Sequence, residues 1–131
     1  MKLLFDNNVS PKVARAIGQL LDEGDVSVPL REKFSQSTRD VEWITALGSE
    51  GGWAVISGDL RITKNKGERL AWLSTDLVGF FMEPALARLS PREQTARLLL
   101  KLPDIETQIS LISGPALFSL PIGNNSRLKQ I

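Results

Sequence analysis

The sequence predicts an α/β fold: a three-layer α/β/α arrangement around a mostly parallel, twisted sheet of four to five strands. Three observations carry this reading. Apolar runs of strand length alternate with stretches of helical apolar spacing along the whole chain. The runs Lys2 to Phe5 and Trp53 to Ile56 are apolar enough for buried strands. The stretches between runs carry helix starts and stops, Ser-Pro before them and glycine after them. Such alternation argues a helix-covered parallel sheet with right-handed crossovers.

Each element follows from local chemistry. Lys2 to Phe5 is the first strand. Ser10-Pro11 opens a helix, with serine as N-cap and proline at the first helical position. Val13, Ala14, Ile17, Leu20 and Leu21 supply its apolar face, and Gly24 ends it. Asp25 to Leu30 is a second strand, with Pro29 placing it near an edge or at its end. A polar turn over Ser35 to Thr38 precedes a second helix carrying Val41, Ile44, Ala46 and Leu47. Gly48, Gly51 and Gly52 close that helix before the third strand, Trp53 to Ile56. Ser57 to Gly67 is polar and basic; Glu68 to Leu73 is a short helix and Leu77 to Met82 a fourth strand. Ser90-Pro91-Arg92-Glu93 is a capping-box helix start. That helix is expected to run to about Leu102, resume after Pro103 through Ile112, and stop at Gly114-Pro115. Ala116 to Ile122 is a fifth strand, and Gly123 to Ile131 a polar tail expected to fray. The 131 residues suit a single domain over 1–131.

Composition excludes several chemistries. The chain has no cysteine and no histidine. A disulfide scaffold, a Ser-His or Cys-His nucleophile and the commonest zinc ligands are therefore out of reach. Any hydrolytic chemistry must run on carboxylates, lysine, hydroxyls or a bound metal. The net charge of +1 carries no global nucleic-acid signal, so a basic footprint must be local. The first residues read as a strand rather than a leader, and no apolar run approaches ~18 residues. A cytoplasmic protein is expected.

Aspartates carry the functional signal. Asp6 ends the first strand and Asp59 the third, and strand carboxyl ends are where open α/β sheets bind ligands. Asn7 and Asn8 follow Asp6, and either Asp6 or Asn8 also fits a plain Asx-turn. Asp40 sits near the start of the second helix, where Ser37-Thr38-Arg39-Asp40 also fits a capping box. Close carboxylates repel unless protonated or metal-bound. A two-metal cluster of magnesium or manganese relieves that repulsion and permits phosphodiester hydrolysis without histidine. Just past Asp59, Arg61, Lys64, Lys66 and Arg69 form the densest cationic stretch, either a solvated face or a hold on flanking phosphates. Trp43, Trp53 and Trp72 are expected as packing residues, with base stacking the minor reading.

Together, Leu4-Phe5-Asp6-Asn7-Asn8-Val9-Ser10-Pro11, the Asp40 helix start and Val55-Ile56-Ser57-Gly58-Asp59 resemble the compact PIN-like domains of VapC-type toxins. The resemblance covers about residues 1 to 83. It implies a metal-dependent endoribonuclease with Mg2+ or Mn2+ held by Asp6, Asp40 and Asp59. Asn8 and Ser57 would orient ligands or phosphate, and Arg61, Lys64 and Lys66 would hold the RNA backbone. It also implies a cognate antitoxin protein and a homodimer. Where some related sequences place an acid two residues after the Ser/Thr-x-Asp motif, this chain has Arg61. Glu32 and Glu42 are then the candidates for a fourth acid, with Glu32 preferred for its place near a strand end. Two rival readings stand beside the nuclease. One is a non-catalytic PIN-like protein-binding module. The other is a receiver-like phosphoacceptor, which would want an acidic pair after the first strand, where this chain has Asp6-Asn7-Asn8.

Overall fold

The computed structural model describes residues 1–131. Six strands form one sheet in the order β2-β1-β3-β4-β5-β6. The strands are β1 (Lys2–Phe5), β2 (Val26–Pro29), β3 (Trp53–Ser57), β4 (Val78–Met82), β5 (Ala116–Leu120) and β6 (Lys129–Gln130). The helices are α1 (Pro11–Leu20), α2 (Leu30–Lys33), α3 (Asp40–Glu50), α4 (Arg61–Lys64), α5 (Lys66–Leu73), α6 (Pro84–Ala87) and α7 (Pro91–Leu111). All neighbouring strands are parallel except β6, which runs antiparallel to β5. No helix is long and apolar enough to cross a membrane. The three-layer, mostly parallel α/β architecture is thus the one the sequence predicts.

Side-chain alternation splits the core into two layers. Leu3, Phe5, Ala54, Ile56, Phe80 and Phe118 face α1 and α7, where they meet Val13, Ile17, Leu98 and Ile105. Leu4, Val55, Phe81 and Leu117 face α3 and α5, where they meet Trp43, Leu47 and Trp72. Trp43 and Trp72 are fully buried and Trp53 is 7% exposed, so all three tryptophans pack rather than offer stacking platforms. Trp72 fits because β4 carries Gly79 opposite it. A Cβ at Gly79 would lie 2.5 Å from the Trp72 ring and 2.6 Å from Phe81, distances real Cβ atoms do not reach.

Four details depart from expectation. Pro103 does not interrupt α7, which runs unbroken from Pro91 to Leu111. The proline forfeits one backbone bond, but Leu98 and Ile105 on either side are buried in one cluster, and that packing holds the two halves in line. Three crossovers, through α1, α3 and α5, share one hand, but the β4–α7–β5 crossover must have the other. The sheet steps in the same direction at that crossover as at α3 and α5, yet α7 lies on the α1 face. Only α7 is long enough to cover Phe80, Phe118 and Ile56 there, and burying that face outweighs the usual handedness. The polar end of the chain adds β6 to the sheet. It is tied down by the buried Lys101, whose Nζ donates to the Gly123 carbonyl at 2.6 Å, and by Arg97, which donates to the Ile122 carbonyl. Finally, Pro29 ends the edge strand β2 as expected, but Leu30 begins the one-turn helix α2 instead of continuing the strand.

Candidate functional site

Strand order locates the site. From β1 the chain moves to β2 on one side and later to β3 on the other, so β1 and β3 flank a topological switch point. Crevices open at the carboxyl ends of such strands. Phe5 pairs with Ile56, so the next residues, Asp6 and Ser57, stand side by side. Strand alternation turns both toward the α3 and α5 face, because Leu4 and Val55, two residues back, lie in that layer.

Asp6 is 5% exposed. Its Oδ2 accepts from the Ser57 hydroxyl at 2.9 Å and its Oδ1 from the Asn7 backbone N–H at 2.7 Å. Burial nonetheless pushes its pKa above the ordinary value. The two hydrogen bonds pull the other way, and the charges of Asp40 and Asp59 add to the upward push.

Ser57 also serves the neighbouring turn. Its Oγ accepts the Asp59 backbone N–H at 2.9 Å, closing the Ser-x-Asp turn. Asn8 completes the link between the two strand ends, with its Oδ1 accepting the Gly58 N–H at 2.9 Å. These contacts explain why a small hydroxyl and an amide occupy positions 57 and 8. Each must give and receive across a gap between two turns. Asn8 binds the neighbouring loop, so Asp6-Asn7-Asn8 is more than an isolated Asx-turn.

Asp40 opens α3 but does not cap it. Arg39 holds the cap position without a side-chain bond, and Asp40 Oδ1 instead accepts from Trp43 Nε1 at 2.9 Å. The capping-box reading of Asp40 is therefore replaced by an indole contact that fixes its carboxylate. Ser37 and Thr38 hydrogen-bond to Ser35.

Asp59 is committed to Arg61. The guanidinium forks onto it, Nε to Oδ1 at 2.9 Å and Nη2 to Oδ2 at 3.0 Å, and the Arg61 backbone N–H adds a third bond to Oδ1 at 3.0 Å. That side-chain bond, above all, holds the Asp59 carboxyl below its ordinary pKa. Lys64 and Lys66 are exposed beside it, on α4 and at the start of α5. Arg69 is turned inward onto the Thr63 carbonyl.

Glu32 is not brought to this group. Its carboxylate pairs with Arg15 of α1 at 2.6 Å, and it is not among the charges that act on Asp6. Glu42 is likewise engaged elsewhere, by Arg39 at 2.6 Å. A further acid that feels the charges of Asp40 and Asp59 is Glu68, which the strand and helix motifs do not single out. Burial raises its pKa first, and the charges of Asp40 and Asp59 add to the rise. Asn65 caps α5, its Oδ1 accepting the Glu68 N–H at 3.0 Å, and so sets Glu68 in the first turn. The pattern Asn-x-x-Glu was the available signal, hidden inside the basic stretch. Arg31 also approaches, lining with Asn7 and Gln36 a cleft of ≈ 260 Å³.

Hard oxygen donors of this kind suit magnesium or manganese. As they stand, no three acidic side chains are gathered to hold a metal. Magnesium, however, is commonly bound by one or two carboxylates, with water and phosphate completing its shell. Asp6 and Asp40, whose charge adds to the rise of the Asp6 pKa, are the two carboxylates that could enter such a shell. A family model for a PIN like domain matches residues 1–84. No curated protein and no solved structure matches the chain.

Proposed function

Since the chain belongs to the PIN-like domain family, we propose that it is a metal-dependent endoribonuclease. The observation that supports this best is the pairing of Asp6 with Ser57 at the switch point, with the charges of Asp40 and Asp59 raising the pKa of both Asp6 and Glu68. The metal would be Mg2+ or Mn2+, held by Asp6 and Asp40. When bound, such an ion activates water and neutralises charge on the phosphate. The chain's own residues supply the rest. Ser57 and Asn8 fix the two turns that carry the acids. Trp43 orients Asp40, and Lys64 and Lys66 offer cations to flanking phosphates. We further propose that the unit is a single domain over 1–131, since α7 and β5 complete the same core as the matched segment.

Its role as the toxin of a toxin–antitoxin system, neutralised by a cognate antitoxin, rests on the VapC-type motifs, as does a homodimer. Cleavage of RNA in magnesium or manganese should be lost on Asp6→Asn and Asp40→Asn; variants that cut as fast as the parent would exclude the site. Glu68→Gln is expected to slow cleavage by about tenfold through Asp40, while Glu32→Gln leaves the rate unchanged, both read as initial rates. A non-catalytic protein-binding module is the second reading, favoured by the Arg61 fork on Asp59. Calorimetry with manganese separates the two, because a degenerate site takes up no ion.

A further inference from the structure

We infer that the cleft lined by Asn7, Arg31 and Gln36 is a subsite for single-stranded RNA, with Arg31 on a backbone phosphate and the two amides on the attached nucleoside. The inference takes its substrate from the ribonuclease reading above and adds the path of the strand. Register places the cleft. Phe5 pairs with Pro29 at the ends of β1 and β2, and two residues further along each segment stand Asn7 and Arg31. The Asn7 backbone N–H donates to the Asp6 carboxylate, so the cleft begins one residue past the buried acid. In the sheet, β1 lies between β2 and β3. Arg31 follows β2, and Lys64 and Lys66 follow β3. An RNA strand held by both sets of cations therefore passes over Asp6. The two outer strands are only ~10 Å apart, two strand spacings, so a short stretch of backbone makes the crossing.

The side chains left without a partner point to a ligand. Between positions 31 and 42, every other charged side chain is in an ion pair or hydrogen bond, and every hydroxyl is hydrogen-bonded. Arg31 and Gln36 alone are unengaged, and both line this one cleft, where the side-chain amide of Asn7 is unengaged as well. No carboxylate lines it. A guanidinium offers a planar fork that matches phosphate, and it offsets the repulsion between that phosphate and the neighbouring acids. Each carboxamide carries both a donor and an acceptor, the pair needed to meet the edge of an unstacked base. At ≈ 260 Å³ the cleft is smaller than the roughly 300–1,000 Å³ of ordinary small-molecule sites, which suits one unit of a longer chain.

The test is binding of a short fluorescent oligouridylate, titrated in EDTA over a range of salt concentrations so that no cleavage intervenes. Arg31 and Gln36 are exposed and have no internal partner, so their variants are expected to fold. Arg31→Gln should bind about tenfold more weakly and lower the salt slope by about 0.7, the share of one phosphate contact on a single strand. Arg31→Lys should keep the slope and recover part of the affinity. Gln36→Ala should bind about threefold more weakly at an unchanged slope, as a neutral contact requires. Arg127→Gln removes an exposed cation between β5 and β6, at the other edge of the sheet, and should bind like the parent. An unchanged slope in Arg31→Gln, parent-like affinity in Gln36→Ala, an equal loss in Arg127→Gln or no binding by the parent overturns the subsite. Cleavage is scored separately in manganese: RNA that is bound through Arg31 but never cut overturns the ribonuclease reading and leaves the RNA subsite standing.

Discussion

Asp6→Asn is expected to make the protein more stable while removing its activity. At neutral pH and without metal, the parent holds a carboxylate that is 5% exposed, faces two other acids and accepts two hydrogen bonds. Those bonds do not offset the cost of burial, since the pKa remains raised. Asparagine removes the charge and keeps the shape. A higher Tm for the variant than for the parent is therefore expected at neutral pH. The sign follows from linkage. The folded pKa lies above the ordinary 3.8, so the native state binds the proton more tightly than the unfolded chain. Stability therefore falls as pH rises from about the ordinary value through the folded one, and the penalty is complete above it. The advantage of asparagine should be largest near neutrality and vanish toward pH ~4. Added manganese should reverse the order by stabilising only the parent. Cleavage should drop by about two orders of magnitude or more. Scanning calorimetry across pH checks the first part. A lower Tm for the variant at pH 7 would make Asp6 a structural turn residue.

Trp72→Ala should give the largest loss of stability of any single change. Trp72 is fully buried, stands edge-on to Trp43 at 6.3 Å, and leans on Phe81 at 5.5 Å. Its Nε1 donates to the carbonyls of Leu77 and Ala116 at 3.1 and 3.3 Å, joining the starts of β4 and β5. Truncation leaves a cavity against Gly79, which has no side chain to fill it. A cost of about 3–5 kcal/mol is expected, a large share of the ~5–15 kcal/mol that holds a domain. Urea denaturation reads it as a lower midpoint with an unchanged slope. A loss under about 1 kcal/mol would mean that the α3 and α5 layer repacks freely.

Much of the site was legible because strands report their own ends. Apolar runs stopping at Asp6 and Asp59 mark the sheet's rim, and Ser57 and Asn8 follow from the turns those runs enter. Helix starts at Ser10-Pro11 and Ser90-Pro91 were equally plain, since a capping hydroxyl acts within three residues. The fourth acid was not legible. Glu32 lies near a strand end, but α2 turns it toward Arg15 and α1. Glu68 lies in a basic stretch, yet Asn65 and the packing of α5 against α3 carry it to Asp40. The same limit hid the unbroken α7 and its reversed crossover, which answer to an uncovered sheet face rather than to local sequence.

The sequence by itself determined the α/β alternation, the strand ends and two of the aspartates, because propensity, periodicity and turn chemistry act over a few residues. Only the tertiary structure decided that Glu32 pairs with Arg15, that Glu68 feels the charges of Asp40 and Asp59, and that Arg61 closes on Asp59. Carboxylates interact through space, and their neighbours are chosen by how the helices dock on the sheet.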